Sequence, residues 1–172
     1  MKGFSLVEVL VAMALVATSA LGLAELITLS SRVTQASRVD TVATLAAEAK
    51  MAQLRAMAWA YDAAGTGTPV SDTSTDVSVD PPSAGGAGLS WSPATSLQAN
   101  ADGYADYVDA SGTYAGRGAE PPPGAVYWRR WSIQPLPSDP AHALVLQVTA
   151  SRVGRPQSRD VHLISILART AK

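Results

Sequence analysis

The most unusual acid in the sequence is Glu8, a carboxylate that interrupts an apolar run close to the amino terminus. The sixteen residues that follow it, 9–24, carry no charge. A charged group at the centre of a membrane helix costs roughly 2.5–3.5 kcal/mol, so an acid in such a segment is usually retained for a partner or a function. In apolar surroundings Glu8 needs a nearby cation or must be protonated. We therefore interpret Glu8 as a residue that pairs with a cation during assembly.

Residue types that carry catalysis or bind metals are scattered along the rest of the chain. His142 and His162 have no cysteine companions, because the chain contains no cysteine, and they lack the spacing of a helical metal site. Three carboxylates in residues 102–109 fit no EF-hand spacing, which favours an ordinary acidic loop over a Ca²⁺ site. No nucleophile elbow or phosphate-binding lysine motif is present. The sequence predicts a protein that is not an enzyme, with no catalytic residue, metal or cofactor.

The element that positions Glu8 is predicted to be one long helix. Residues 4–61 contain no proline and a single glycine, Gly22. The part up to residue 29 is apolar and long enough to span a bilayer, which takes about 20 residues. The later part is amphipathic, and we expect it to pack under a sheet. Its charged positions are expected to face solvent: Arg32, Arg38, Asp40, Glu48, Lys50 and Arg55.

The last third of the chain has the period of β-strands. Residues 63–124, which begin with a stretch rich in Gly, Pro, Ser, Thr and Asp, are predicted as a loop. Apolar residues then alternate with polar ones in three stretches, 125–133, 143–153 and 160–168, joined by short connections. The predicted fold class is therefore α+β, with a long amino-terminal helix packed under a small antiparallel sheet of three to four strands.

Three interpretations fit the amino-terminal segment. A secretory signal peptide would place a small-residue cleavage site near Ala20-Leu21-Gly22, although Lys2 is the only basic residue before the apolar run. The second interpretation is an uncleaved signal anchor. The distribution of basic residues on the two sides of the apolar run gives this interpretation little support. The third rests on Gly3-Phe4-Ser5-Leu6-Val7-Glu8-Val9-Leu10-Val11-Ala12. This stretch resembles the class III signal of type IV pilins and type II secretion pseudopilins, and we favour it because Gly, an aromatic residue and Glu stand at the family's spacing.

The pilin-like resemblance implies a processing site and an assembly site. In that family a prepilin peptidase cuts after the glycine, here Gly3, and methylates the new amino terminus, here Phe4. The family's acid, here Glu8, would bind the amine of a neighbouring subunit and set the stagger of the fibre, as a buried polar residue sets register in a coiled coil. The implied domains are a leader at 1–3, a transmembrane and assembly segment at 4–29, and a globular domain at 30–172, comprising the helix half 30–61, the loop 63–124 and the strands 125–168.

The resemblance also implies partners and a location. The partners are other minor and major pilins or pseudopilins, contacted through the amino-terminal helix, together with prepilin peptidase. The location is the bacterial inner membrane, crossed once with the carboxyl-terminal domain in the periplasm. From there the subunit would be incorporated into a pilus or pseudopilus.

Two features make the resemblance more specific. Major pilins usually carry a proline in the middle of the apolar helix half, where this chain has Glu25. The segments Leu21-Gly22-Leu23-Ala24 and Trp128-Arg129-Arg130-Trp131 resemble PilV-type minor pilins and the I-type minor pseudopilin. The implied function is a minor pilin that primes or caps a type IV pilus used for adhesion, motility or DNA uptake. The alternative is a minor pseudopilin at the tip of a type II secretion pseudopilus.

A further hypothesis is a membrane-tethered periplasmic module that binds DNA or a surface. Trp128, Arg129, Arg130 and Trp131 interleave aromatic and basic side chains, a pattern that stacks on single-stranded nucleic acid. The alternative is that the tryptophans lie in the core while the arginine stems cover the sheet edge. The net charge of −1 argues against a surface built for nucleic acid, so we do not expect nucleic acid to be the principal partner.

Overall fold

The computed structural model describes residues 5–61, 70–154 and 160–171. This part of the chain contains one helix and nine strands. In chain order the elements are α1 (Leu6–Ala56), β1 (Ala60–Tyr61), β2 (Thr75–Asp76), β3 (Ser83–Ala84), β4 (Ala105–Val108), β5 (Tyr114–Gly116), β6 (Tyr127–Leu136), β7 (Asp139–Arg152), β8 (Val161–Ala168) and β9 (Thr170–Ala171). The predicted α+β fold class, a long helix followed by antiparallel strands, is confirmed.

Two compact units make up the chain, Met1–Val39 and Asp40–Lys172. The described part of the first unit consists of the beginning of α1. The second unit contains the remainder of α1 and all of the strands.

Helix α1 ends at Ala56, before the predicted boundary at residue 61. The chain then becomes extended, and β1 pairs in parallel with β9 near the carboxyl terminus. The amide of Thr170 also donates to the carbonyl of Trp59 over 3.1 Å. The last residues of the predicted helix therefore form a strand, because they pair with β9 near the carboxyl terminus.

The main sheet has five strands in the order β5-β4-β6-β7-β8, and all neighbours are antiparallel. Strands β6, β7 and β8 are the predicted meander. The prediction of three to four strands was too low because β4 and β5 come from the region predicted as a loop, 63–124. Strand β4 has only four residues and contains Asp106, so its pattern is too short to read from the sequence. Its pairing with β6, in which Asp106 lies opposite Arg129, defines it as a strand.

The core lies between the second half of α1 and the inner face of the main sheet. Strand alternation places Trp131 and Ile133 of β6 on this face, opposite Val148 and Leu146 of β7. All four are fully buried, as is Leu54 of α1. The complete core cluster is Ala47, Met51, Leu54, Val77, Leu89, Tyr104, Trp131, Ile133, Leu144, Leu146, Val148 and Ala150.

A segment at residues 92–100, part of the predicted loop, covers the middle of the outer face. The Ser92 amide donates to the carbonyl of Ile133 over 3.0 Å, and the Ile133 amide donates to the Ser92 hydroxyl over 3.0 Å. At the far end of the segment, Arg130 Nε donates to Asn100 Oδ1 over 2.8 Å. The cover attaches to β6, whereas alternate side chains on the outer face of β8 remain exposed.

Candidate functional site

Helix α1 begins with one half of a capping box, in which the Glu8 side chain accepts from the Ser5 amide. The amides of Glu8 and Val9 donate to the Ser5 carbonyl over 3.0 and 3.2 Å. In return, the Ser5 amide donates to Glu8 Oε2 over 3.4 Å. A serine followed three residues later by a glutamate is a known signature of helix amino termini, so the sequence itself carries this signal. Glu8 therefore stabilises the start of the helix, and a test of its assembly role must separate the two effects.

The assembly partner predicted for Glu8 is not part of the described structure. Gly3 and Phe4, the predicted processing residues, lie outside the described residues. Within the described ranges Glu8 is exposed, and none of the ion pairs formed there involves its carboxylate. The pairing of Glu8 with the amine of Phe4 on a neighbouring subunit therefore stays a prediction.

The first half of α1 exposes a largely apolar surface. Every residue from 5 to 35 is exposed. The large apolar members are Leu6, Val7, Val9, Leu10, Val11, Met13, Leu15, Val16, Leu21, Leu23, Leu26, Ile27, Leu29 and Val33. Among the described residues, α1 is the one helix that is long and apolar enough to cross a membrane, judged by length and composition.

Several hydroxyl groups in this half donate to carbonyls of the helix itself. Thr18 Oγ1 donates to the carbonyl of Ala14 over 3.0 Å, and Ser19 Oγ donates to that of Leu15 over 2.8 Å. A bilayer interior offers no water to polar groups, so such internal hydrogen bonds are what a spanning helix requires. These hydroxyls can therefore enter lipid at little cost, in contrast to the charged Glu8.

A cluster of three buried charges ties the second half of α1 to the sheet. Lys50 Nζ lies 2.8 Å from Asp106 Oδ2. Arg129 binds the same carboxylate through two hydrogen bonds, from Nε over 2.7 Å and from Nη2 over 2.8 Å. Lys50 Nζ also donates to the Val77 carbonyl over 2.6 Å and lies 4.4 Å from the centre of the Trp131 ring. The prediction that Lys50 faces solvent is wrong, because these partners satisfy the ammonium inside the protein.

The electrostatics of this cluster are those of two cations sharing one carboxylate. Burial lowers the pKa of Lys50 from its usual value of 10.5, Asp106 opposes that change, and the charge of Arg129 reinforces it. Lys50 and Asp106 are 2% and 1% exposed. A substrate would have no access to groups so deeply buried, so the cluster positions α1 against β4 and β6 and does not form a reaction centre.

The strand that interleaves aromatic and basic side chains, 128–131, is largely buried. Trp131 has no exposure, and Trp128 and Arg129 are each 8% exposed. Arg130 is partly buried, lies 4.2 Å above the Trp128 ring and donates to the carbonyl of Gln98 over 2.9 Å. Of the two alternatives for this strand, its burial favours the one in which the tryptophans pack inside the protein, because the core takes one face of β6 and the 92–100 segment covers the other. Nucleic-acid binding through this strand stays a prediction that the burial of three of its four residues argues against.

The remaining polar candidates have local structural partners. His142 Nδ1 lies 2.8 Å from Asp139 Oδ1 at the start of β7. Asp109 accepts hydrogen bonds from the hydroxyl and amide of Ser111, which lower the pKa of its carboxyl group. Asp106, from the same acidic stretch, is neutralised in the buried cluster. In the three described ranges, no group of three or more His, Cys, Asp or Glu side chains could hold a metal ion.

Comparison with known proteins gives one match, at the amino terminus. Residues 1–24 match the family model described as the prokaryotic N-terminal methylation motif. No curated protein and no solved structure matches the chain. The matched segment contains the capping box and most of the apolar run. The match supports an amino-terminal segment of the type IV pilin or pseudopilin kind, a kind that is in general processed by prepilin peptidase and assembled with other pilins, on a helix long and apolar enough to anchor a chain in a membrane.

Proposed function

We propose that this protein is a minor pilin, a non-catalytic subunit that helps to prime or cap the assembly of a type IV pilus. Such a pilus serves adhesion, motility or DNA uptake. The observation that carries the proposal is the methylation motif at residues 1–24, located on a helix whose first half is apolar and exposed. In this proposal the chain is cut after Gly3, methylated at Phe4 and held in the inner membrane by residues 4–29, with 30–172 in the periplasm.

The exposed half of α1 must be covered by lipid or by other helices. Full burial of one leucine, valine or isoleucine side chain contributes about 1.5–3 kcal/mol relative to water, and this surface has more than a dozen such residues. Helices inside a membrane gain little from apolar burial alone, because lipid tails are equally apolar. A polar contact is then needed to select a partner and a register. Glu8 with the amine of Phe4 from a neighbouring subunit provides that contact in our proposal.

The choice of a minor subunit follows from Glu25. A charged residue replaces the proline that major pilins usually carry, and a second acid in the apolar half suits a special position better than a repeated one. The alternative is a minor pseudopilin at the tip of a type II secretion pseudopilus, which uses the same processing and pairing chemistry. Crosslinking in cells followed by isolation of the chain discriminates them, since recovery of other pilins favours the first and recovery of secretion components favours the second.

The assembly role is tested with two substitutions of one residue. Glutamine at position 8 keeps a side-chain oxygen for the capping box but loses the charge, whereas alanine loses both. We expect Glu8→Gln and Glu8→Ala to be inserted and cleaved but to be absent from sheared fibres, as judged by immunoblotting. Glu25→Gln, a change of the other acid in the same apolar half, is the matched control and should be incorporated.

The pair of variants also defines the result that would overturn the pairing role. Normal incorporation of Glu8→Gln together with failure of Glu8→Ala would mean that Glu8 acts only by starting the helix. Failure of all three variants, including Glu25→Gln, would indicate a general sensitivity of the segment to lost charge and would also contradict a specific role for Glu8.

A further inference from the structure

The sequence just after α1 favours more helix than the structure contains. Four of residues 57–64 are alanine, one is methionine, and no proline or glycine occurs before Gly65. Alanine and methionine have high helix propensity, and a glycine just past a helical run is a common stop signal. Nevertheless α1 ends at Ala56, and the chain is extended in β1. Contacts with another part of the chain must therefore end the helix.

Those contacts come from residues 169–171 near the carboxyl terminus, which we name the strap. Strand β9 pairs in parallel with β1, and the Thr170 amide donates to the Trp59 carbonyl over 3.1 Å. Arg169 Nε donates to the Ala60 carbonyl over 3.0 Å. The Arg169 guanidinium also lies 4.3 Å from the centre of the Trp59 ring. The strap thus contacts consecutive residues just past the helix end, in their extended conformation.

The strap is itself held by other segments of the second unit. Arg169 Nη2 donates to the Ser71 hydroxyl over 3.2 Å, and Arg169 Nη1 donates to the Ala141 carbonyl over 3.3 Å. The Arg169 amide donates to the His142 carbonyl over 2.6 Å. Ser71 in turn donates to the Ala60 carbonyl over 2.8 Å. One arginine therefore joins the chain after α1, the segment at Ser71 and the start of β7.

Extended and helical conformations of residues 57–61 give the same groups different partners. The Ala60 carbonyl accepts from Arg169 and Ser71, whereas in a longer helix it would accept from the amide four residues later. The Trp59 ring now packs against the core cluster. In a longer helix this ring would point about 140° away from the buried Leu54, five residues earlier. Local propensity thus favours the helix, and the contacts of the strap and Trp59 oppose it.

We propose that the strap is a conformational switch for the length of α1. With residues 169–171 in place, the helix ends at Ala56. When these residues are displaced, residues 57–61 join α1 and lengthen it by about 7.5 Å. A protein that takes up the strap as an added strand would therefore move the end of α1. The switch lies within the second unit, Asp40–Lys172, and does not depend on the proposed pairing of Glu8.

The switch is tested by nuclear magnetic resonance of the full-length chain in detergent. The Cα chemical shifts of residues 59–61 distinguish helix from strand directly. In the parent these shifts should have the sign of an extended chain, and Arg169→Ala should reverse it to the sign of a helix. Arg152→Ala truncates an exposed arginine at the end of β7 and is the matched control, which should leave the shifts unchanged. Shifts of the Arg169→Ala chain that stay extended, or that become those of an unordered chain, would overturn the proposal.

Two further variants separate a switch from a general loss of structure. Thr170→Pro removes the amide that donates to Trp59 but keeps Arg169, so it should move the shifts in the same direction by a smaller amount. Ala58→Gly lowers the helix propensity of an exposed position, so it should reduce the helical shifts of the Arg169→Ala chain and leave those of the parent extended.

The shifts of β7 serve as the internal reference and should remain those of a strand in every variant. Loss of the β7 shifts in the Arg169→Ala and Thr170→Pro chains would mean that the strap holds the whole sheet, which would overturn a switch confined to the helix end. Helical shifts that Ala58→Gly does not reduce would contradict a helix extended by local propensity.

Discussion

The two halves of helix α1 share one backbone but differ in what covers their side chains. In the first half every residue from 5 to 35 is exposed. In the second half Ala47 and Leu54 are fully buried against the sheet. The second half thus obtains its stabilisation inside the chain, whereas the apolar surface of the first half needs lipid or other subunits. This difference allows one helix to serve as a core element in its second half and, in our proposal, as an assembly segment in its first half.

The charged residues of the two halves show the same contrast. Lys50 is buried with Asp106 and Arg129, partners that come from the chain itself. Glu8 is exposed, and its hydrogen bond in the described structure is to the main-chain amide of Ser5. A buried charge whose partner lies in the same chain holds two elements of the fold together. A charge in an apolar segment that has no ion-pair partner in its own chain is available to a partner subunit.

The largest change in stability should follow from removing the carboxylate of the buried cluster. Asp106→Asn leaves Lys50 and Arg129 as two buried cations without an anion, which should cost about 3–5 kcal/mol. Thermal or denaturant unfolding of the full-length chain in detergent measures this loss. Asp102→Asn, which changes an exposed carboxylate in the turn before β4, is the control and should have a small effect. Equal effects of the two changes would contradict the role of the cluster.

Leucine truncations sharpen the comparison between the helix halves. Leu54→Ala removes a side chain with no exposure from the core and should cost about 2–5 kcal/mol. Leu21→Ala makes the same change where the side chain is 68% exposed, so the unfolding midpoint of the detergent-solubilised chain should stay unchanged. Comparable losses at both positions would mean that the first half is packed inside the monomer, contrary to our description.

A smaller effect, with a specific pH dependence, is expected for Lys50→Met. Asp106 keeps its two hydrogen bonds from Arg129, so the cost near neutral pH should be only about 1–2 kcal/mol. Because the pKa of Lys50 is lowered from 10.5 in the folded state, the unfolded chain binds more protons between that lowered pKa and 10.5. The stability of the wild-type chain relative to Lys50→Met should therefore rise as pH increases through this window. Unfolding midpoints of both proteins over that range measure the difference, and a constant or falling difference would show that burial does not disfavour the charged lysine.

Much of the fold could be predicted because local patterns are enough to identify it. The absence of proline from residues 4–61 predicted one long helix, and the alternation of residues 143–153 predicted a strand that corresponds to β7. Strand β4 could not be predicted, since four residues around a carboxylate show no clear period and only pairing with β6 defines them. The helix end was misplaced for a similar reason, because the partner of β1 lies at the opposite end of the chain.

Among the polar residues, local contacts could be predicted from the sequence and long-range contacts could not. Lys50 and Arg129 looked like surface charges, because a sequence does not show that Asp106 lies between them. The capping box was different, since Ser5 and Glu8 are three residues apart and the pattern could have been recognised. Local hydrogen bonds can be read from spacing, whereas long-range ion pairs require the fold.

The central claim is that the chain is a processed pilin-like subunit, and the mass of its amino-terminal peptide tests it most directly. The mature protein, isolated from membranes or fibres, is digested and analysed by mass spectrometry. We predict a peptide that begins at Phe4, lacks Met1, Lys2 and Gly3, and carries one methyl group on its amine. A peptide that still begins at Met1, or one that begins near Leu23 as after an ordinary signal peptide, would contradict the account.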